Sequence, residues 1–154
     1  MISIRQILQP GHINLSLSST EIPSAVNEIL ASLSGDTRIL QWDGLKKSVL
    51  ERNAPAIDAD GCAIVIAHGR TDAVGSLVMA VGRSTEGFPS DDTKEKVRFV
   101  FVAGIPSALN SEYLRVVGTI ARLCSNKDLV QKLLSTPRQD TFIDILCSGE
   151  SVLS

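Results

Sequence analysis

The stretch Val97-Arg98-Phe99-Val100-Phe101-Val102-Ala103 decides the fold. It is apolar at nearly every position, so neither of its alternating faces can be left to water. A strand of that kind belongs inside a sheet whose two faces are both covered by helices. Upstream, Ala63 to Ile66 and Leu77 to Val81 read as further strands, the second closing in Gly82-Arg83. Glu86 to Asp92 is polar, carries Gly87 and Pro89, and reads as a surface loop. Downstream of Pro106 the chain turns helical. Asn110 or Ser111 caps a helix with Leu114, Val117, Ile120, Ala121 and Cys124 on one side. Ser125 with Asp128 resembles a capping box for a short helix through Leu129, Val130, Leu133 and Leu134. Thr136-Pro137-Arg138-Gln139 opens a last helix holding Phe142, Ile145 and Leu146, with proline at its first position.

Toward the N-terminus the pattern is helical again. Ile4, Ile7 and Leu8 share a helical face that Pro10-Gly11 stops, and Ile13, Leu15 and Leu17 alternate with Asn14 and Ser16 as a half-buried strand. Ser18-Ser19-Thr20-Glu21 supplies caps for a helix with the stripe Ile22, Val26, Ile29, Leu30 and Leu33, ended by Gly35. A second helix runs from about Thr37 to Arg52, with Leu40, Leu45, Val49 and Leu50 toward the core. Pro55 forbids its continuation. Asn53 to Gly61 is a turn-rich loop. The order β-α-α-β-β-β-α-α-α predicts a single-domain three-layer α/β/α sandwich around a central mixed sheet, spanning residues 1–154.

Composition narrows the function classes. The 154 residues carry 15 Lys plus Arg against 17 Asp plus Glu, which gives no basic field for nucleic acid and no polybasic anchor for a membrane. No apolar run reaches the ~18 residues that span a bilayer. The start Met1-Ile2-Ser3-Ile4-Arg5 lacks the pattern of a signal peptide. Cys62, Cys124 and Cys147 are odd in number, far apart and set in apolar stretches, so they read as reduced core residues of a cytoplasmic protein. Trp42 reads as core as well. No clustered metal-ligand motif appears, and no metal or cofactor is expected.

The chemistry concentrates in Cys62-Ala63-Ile64-Val65-Ile66-Ala67-His68-Gly69-Arg70. An apolar strand ends in a lone imidazole, a glycine and an arginine. Neutral imidazole, with an ordinary pKa of about 6.5, is a competent nucleophile near neutrality. Gly69 leaves the backbone open to an approaching phosphate, and Arg70 offers forked donors to its oxygens. The plain alternative is a strand-end histidine bonded to a neighbouring carbonyl, with Arg70 a solvated loop charge. Cys62 lies too far along the extended strand to form a catalytic pair with His68 at ~3.3 Å per residue.

Several segments together carry a family resemblance. They are Leu50-Glu51-Arg52, the run from Gly61 to Arg70, Ala80-Val81-Gly82-Arg83 and Val100-Phe101-Val102-Ala103. Tyr113-Leu114-Arg115-Val116-Val117 and Ala121-Arg122-Leu123 complete the set. In this order and spacing the chain resembles the IIA domain of the mannitol/fructose/nitrogen-regulatory branch of the bacterial phosphotransferase system, over roughly Ile4 to Leu146. The resemblance implies a phosphoryl carrier. His68 would accept phosphate from the histidine-containing phosphocarrier protein and pass it to a cysteine of a IIB domain, or signal by its phosphorylation state. It makes His68 and Arg52 the catalytic pair, beside which Arg70, Gly69 and Tyr113 are the candidate phosphate contacts read from their own chemistry. Arg52 also has a structural alternative as a helix-end charge.

The chain departs from the family pattern in its pocket. Ala67 stands where proline usually precedes the active histidine, Asn53-Ala54-Pro55-Ala56 replaces the usual small hydroxyl residues, and Tyr113 stands near the place of a second histidine. A phenol donates one hydrogen bond but brings no positive charge. Tyr113 is equally readable as a half-buried helix residue. The departures keep open an alternative: a degenerate IIA-like regulatory or anion- or protein-binding module without phosphotransfer. His12 offers no matching motif and reads as a surface or capping residue, and Arg83 as structural. With no IIB-type cysteine motif or membrane segment in the sequence, the partners are expected to be separate chains.

Overall fold

The computed structural model describes residues 3–51, 54–59 and 62–153, with side chains described to 150. The helices are α1 (Ile4–Ile7), α2 (Ile22–Ala31), α3 (Trp42–Leu50), α4 (Asn110–Cys124), α5 (Lys127–Ser135) and α6 (Gln139–Leu153). The strands are β1 (Leu8–Asn14), β2 (Ala56–Asp58), β3 (Ala63–Arg70), β4 (Val78–Phe88) and β5 (Val97–Ile105). They form one mixed sheet in the order β1-β4-β5-β3-β2. β5 lies parallel to β3 and antiparallel to β4, while β1 runs parallel to β4 and β2 antiparallel to β3.

The apolar β5 sits at the centre and is buried along its length apart from the half-buried Arg98. Its period of two sorts the core into two halves. Phe99, Phe101 and Ala103 pack with Ile64, Ile66, Met79 and Val81 against residues of α1, α4, α5 and α6. Val100 and Val102 pack with Ala63, Val65, Ala67, Val78 and Ala80 against α2 and α3. The sandwich of helix, mixed sheet and helix expected from the pattern is the observed fold.

Several local expectations are corrected. The first strand is Leu8–Asn14, not the Ile13–Leu17 alternation, and it contains Pro10-Gly11. Proline is tolerated there because β1 is an edge strand, and the register with β4 slips between Leu8 and Ile13. Leu15 and Leu17 then pack into opposite halves of the core. The loop before β3 contains the short edge strand β2. β4 runs on to Phe88, past the expected loop start, through a bulge in which Gly87 has φ +81 and its N–H donates to Ser84 Oγ at 2.9 Å.

The helices shift as well. α3 starts at Trp42 because residues 38–41 bond to the β3–β4 loop instead of coiling. Gly75 N–H donates to the Arg38 carbonyl at 2.8 Å, and the Leu40 and Gln41 N–H groups donate to the Ala73 carbonyl at 2.7 and 3.0 Å. Leu40 is therefore 67% exposed, and Leu50, at the end of α3, 41%. Trp42 only partly joins the core. On α4 the buried face is Tyr113, Val116, Ile120, Leu123 and Cys124, which turns Leu114 outward. α5 is capped by Asn126, whose side chain accepts from Leu129 N–H at 3.1 Å, not by Ser125. α6 begins at Gln139, whose amide donates to the Ile13 carbonyl at 2.7 Å rather than closing a capping box.

Candidate functional site

β3 carries the site because its pairing continues to its last residue. The ladder runs from Ile64↔Phe99 to His68↔Ala103, Gly69↔Gly104 and Arg70↔Ile105. Alternation along β3 puts His68 on the same side as Ile64 and Ile66, toward α4. Because β3 and β5 are parallel, their C-terminal ends lie side by side. The chain leaving β5 makes the turn Ser107–Leu109 and enters α4 at once. Tyr113, early in α4, is thereby brought over the histidine. The two ring centroids are 5.2 Å apart, with the planes tilted by 40°. His68 is half-buried, and Tyr113 is 5% exposed. Burial pushes the phenol pKa up to about 12, so Tyr113 stays neutral and brings no charge to the site.

Arg70 ends β3 exposed on the His68 side, and it forms no ion pair among the described residues. Gly69 is buried and faces α3. A Cβ built there would come within 2.5 Å of Ser48 Oγ and 2.9 Å of the Val49 backbone nitrogen. That close approach gives this glycine a packing reason, beside the phosphate access expected from sequence. Arg52 lies outside the described residues. Ala67 is buried on the opposite face from His68, against the α2 and α3 layer.

The loop after β3 ties the two walls of the site together. Thr71 N–H donates to the Ile105 carbonyl at 2.8 Å, and Ser107 N–H donates to Asp72 Oδ1 at 3.2 Å. Sequence reasoning did not single out Asp72. The available signal was the Thr71-Asp72-Ala73 turn, in which Ala73 N–H donates to Thr71 Oγ1 at 3.1 Å.

The other singled-out residues are structural. Arg83 is buried and has no carboxylate partner among the described residues. Its guanidinium donates to the carbonyls of Leu15 at 3.0 Å, Leu133 at 2.8 Å and Thr136 at 2.7 Å, closing the C-terminal end of α5. His12 is not a surface cap. Its Nε2 lies 3.6 Å from Asp36 Oδ2, which Arg38 holds at 2.7 Å, and its Nδ1 is buried without a partner among the described residues. Burial lowers the His12 pKa, Asp36 opposes that shift and Arg38 reinforces it. Glu28 collects the hydroxyls and N–H groups of Ser18 and Ser19 and the amide of Asn14. Burial alone would raise its pKa, but those donors outweigh it and hold the carboxyl at about 2.

Comparison with known proteins names this arrangement. Residues 6–148 match the family described as "Phosphoenolpyruvate-dependent sugar phosphotransferase system, EIIA 2". The chain belongs to that family. It is a phosphoryl carrier of the phosphotransferase system. It is 31% identical over 138 residues to the PTS system fructose-specific EIIA component of Haloferax volcanii, covering 86% of this chain and 90% of that one. Among solved structures it is similar to the nitrogen regulatory protein IIA-Ntr of Neisseria meningitidis. That match has a TM-score of 0.77 and 22% identity over 92% of this EIIA chain and 97% of that one. The Escherichia coli complex of enzyme IIA-mannitol with phosphorylated enzyme IIB-mannitol matches with a TM-score of 0.73 and 13% identity, over 92% of this chain and 99% of that one. At those identities the two structures speak for the shared fold of this EIIA protein. No described helix is long and apolar enough to cross a membrane.

Proposed function

We propose that this EIIA chain carries its phosphoryl group on His68. The observation that carries the reading is the half-exposed imidazole at the end of β3, under the Tyr113 ring and two residues before an outward arginine. A lone pair on a His68 ring nitrogen attacks the phosphorus of a phosphohistidine on the donor. An N–P bond forms at His68 while the donor's N–P bond breaks, and the donor imidazole leaves with the electron pair. In the second half-reaction a partner's thiolate attacks, forming an S–P bond and returning neutral His68. Both steps need in-line approach and positive charge around the equatorial oxygens, and neither needs a base in this chain.

Arg70 and, by its family position, Arg52 supply the charge, while Tyr113 supplies a neutral hydroxyl. The donor is a histidine-containing phosphocarrier protein, and the receiver is a IIB domain or a protein regulated by the phosphorylation state. The similarity to an EIIA caught with phosphorylated IIB supports the IIB assignment. The work is done in the cytoplasm by a single domain of residues 1–154.

Incubation with the phosphocarrier, its kinase and labelled phosphoenolpyruvate tests this reading. Base-stable, acid-labile label is expected on the wild type and on His12→Ala, and none on His68→Ala. Label persisting on a folded His68→Ala protein refutes the assignment.

A further inference from the structure

Glycine stands opposite glycine one step beyond the histidine, Gly69 on β3 against Gly104 on β5. Both face the α3 layer. A Cβ at position 69 would lie 2.5 Å from Ser48 Oγ, 2.8 Å from Ser48 Cβ and 2.9 Å from Val49 N. A Cβ at position 104 would lie 2.7 Å from Leu45 Cδ1. The last turns of α3 therefore rest in a trough of bare backbone at the level of the site. One of the obstructing atoms is main chain and cannot rotate aside, so a side chain at 69 has to displace the helix.

The connection beyond α3 gives this seat its importance. The helix ends at Leu50, and the chain rejoins the sheet as β2, where Ala56 pairs with Val65. The downstream end of this short connection is fixed by the ladder and the upstream end by the trough. The height of α3 on the sheet thus sets where the connection begins relative to His68.

We propose that Ser48 and Gly69 form a steric latch, and that Ser48 is a positioning residue for phosphotransfer. By seating the last turn of α3 against the His68 strand, the latch sets where the C-terminal end of that helix stands relative to the imidazole. The proposal rests on His68 being the phosphoryl acceptor and gives Gly69 a role distinct from admitting phosphate to the backbone. Neither residue touches the phosphate in this role; both act through α3.

A second-site rescue separates the two roles. Gly69→Ala is expected to slow labelling of His68 by about tenfold to about a hundredfold, the scale of an ångström-size misplacement. Ser48→Gly clears the Oγ and Cβ from the contact. The Val49 backbone nitrogen stays 2.9 Å from the new Cβ, so the double variant is expected to recover only part of the loss, running about threefold to about tenfold faster than Gly69→Ala, inside the misplacement penalty. Ser48→Leu presses on the same contact from the helix side and is expected to slow labelling with Gly69 intact.

The His68 imidazole titration, followed by NMR in unphosphorylated protein, supplies a readout independent of transfer. Its midpoint should move in Gly69→Ala and return part of the way in the double variant. The latch is overturned if the double variant, with an intact cooperative thermal transition, is no faster than Gly69→Ala and its titration stays at the Gly69→Ala midpoint. It is equally overturned if Ser48→Leu transfers and titrates like wild type. Wild-type protein that never acquires label on His68 would remove the acceptor reading, while the NMR comparison would still decide the latch.

Discussion

Tyr113 lies against His68, the proposed phosphoryl acceptor, and replacing it separates what its ring does from what its hydroxyl does. Its pKa of about 12 keeps the hydroxyl protonated throughout the working range, so it can donate to a phosphate oxygen without ever carrying charge. A hydrogen bond to a charged group contributes about 1.5–3 kcal/mol. If that bond strengthens as the phosphoryl group arrives, Tyr113→Phe should slow transfer by about tenfold to about a hundredfold. Phenylalanine keeps the ring, 5.2 Å from the imidazole, so the thermal transition should move little. Tyr113→Ala removes a ring that is 5% exposed and should also destabilise the fold by about 3–5 kcal/mol. Tyr113→His puts back a group that can be protonated near neutrality, so the ratio of its rate to that of wild type should rise on acidification through about pH 6.5, a dependence that wild-type Tyr113 cannot contribute. The assay is rapid-quench labelling of His68 by the phosphorylated carrier across pH 5.5 to 8.5. A Tyr113→Phe rate within about twofold of wild type, well short of the loss of a charged hydrogen bond, would refute the hydroxyl's role and leave Tyr113 as a packing residue.

Three further outcomes are expected. Arg52→Ala should slow transfer by about tenfold to a thousandfold with little change in thermal transition, since removing one preorganised donor costs about 2.7–4 kcal/mol, and less where water reaches the site; unchanged kinetics returns Arg52 to a helix-end charge. Arg83→Met should cost about 3–5 kcal/mol in urea unfolding, because it leaves the carbonyls of Leu15, Leu133 and Thr136 without their donor; a loss under about 1 kcal/mol, the scale of an ordinary surface change, contradicts the clasp. Glu28 lies at about 2 when folded against an ordinary 4.5, so its contribution is complete above about pH 4.5 and is lost as pH falls toward 2. After discounting for partial exposure that contribution is about 1–2 kcal/mol. Glu28→Gln should flatten the acid limb of the stability curve between those pH values, and an unchanged limb counts against it.

Much of the site was legible because it depends on order along the chain. The apolar run at β5 required cover on both faces, and the run from Cys62 to Arg70 put the histidine, glycine and arginine together at the end of an apolar strand. The end of β3 was less legible. His68 lies within the ladder, not beyond it, because pairing with β5 continues to Arg70↔Ile105. Leu40 and Leu114 were expected in the core and are exposed. In the first case main-chain bonds to Ala73 pull residues 40 and 41 out of a helix. In the second the helix is rotated so that Tyr113 and Val116 face inward. Neither competition is visible in a window of sequence, because the winning partner lies far along the chain.

By itself the sequence determined the layer count, the family, and the histidine, glycine and arginine at one strand end. Those follow from local periodicity and from a motif whose residues are neighbours. Tertiary structure alone decided which side chains stand over them. Parallel pairing of β3 with β5 puts two strand ends together, and that brings Tyr113 within 5.2 Å of His68. The same pairing sets Gly69 beside Gly104 and opens the trough for α3. A local pattern can specify a strand and its faces, but the register between strands far apart in sequence is fixed only when the whole core closes around them.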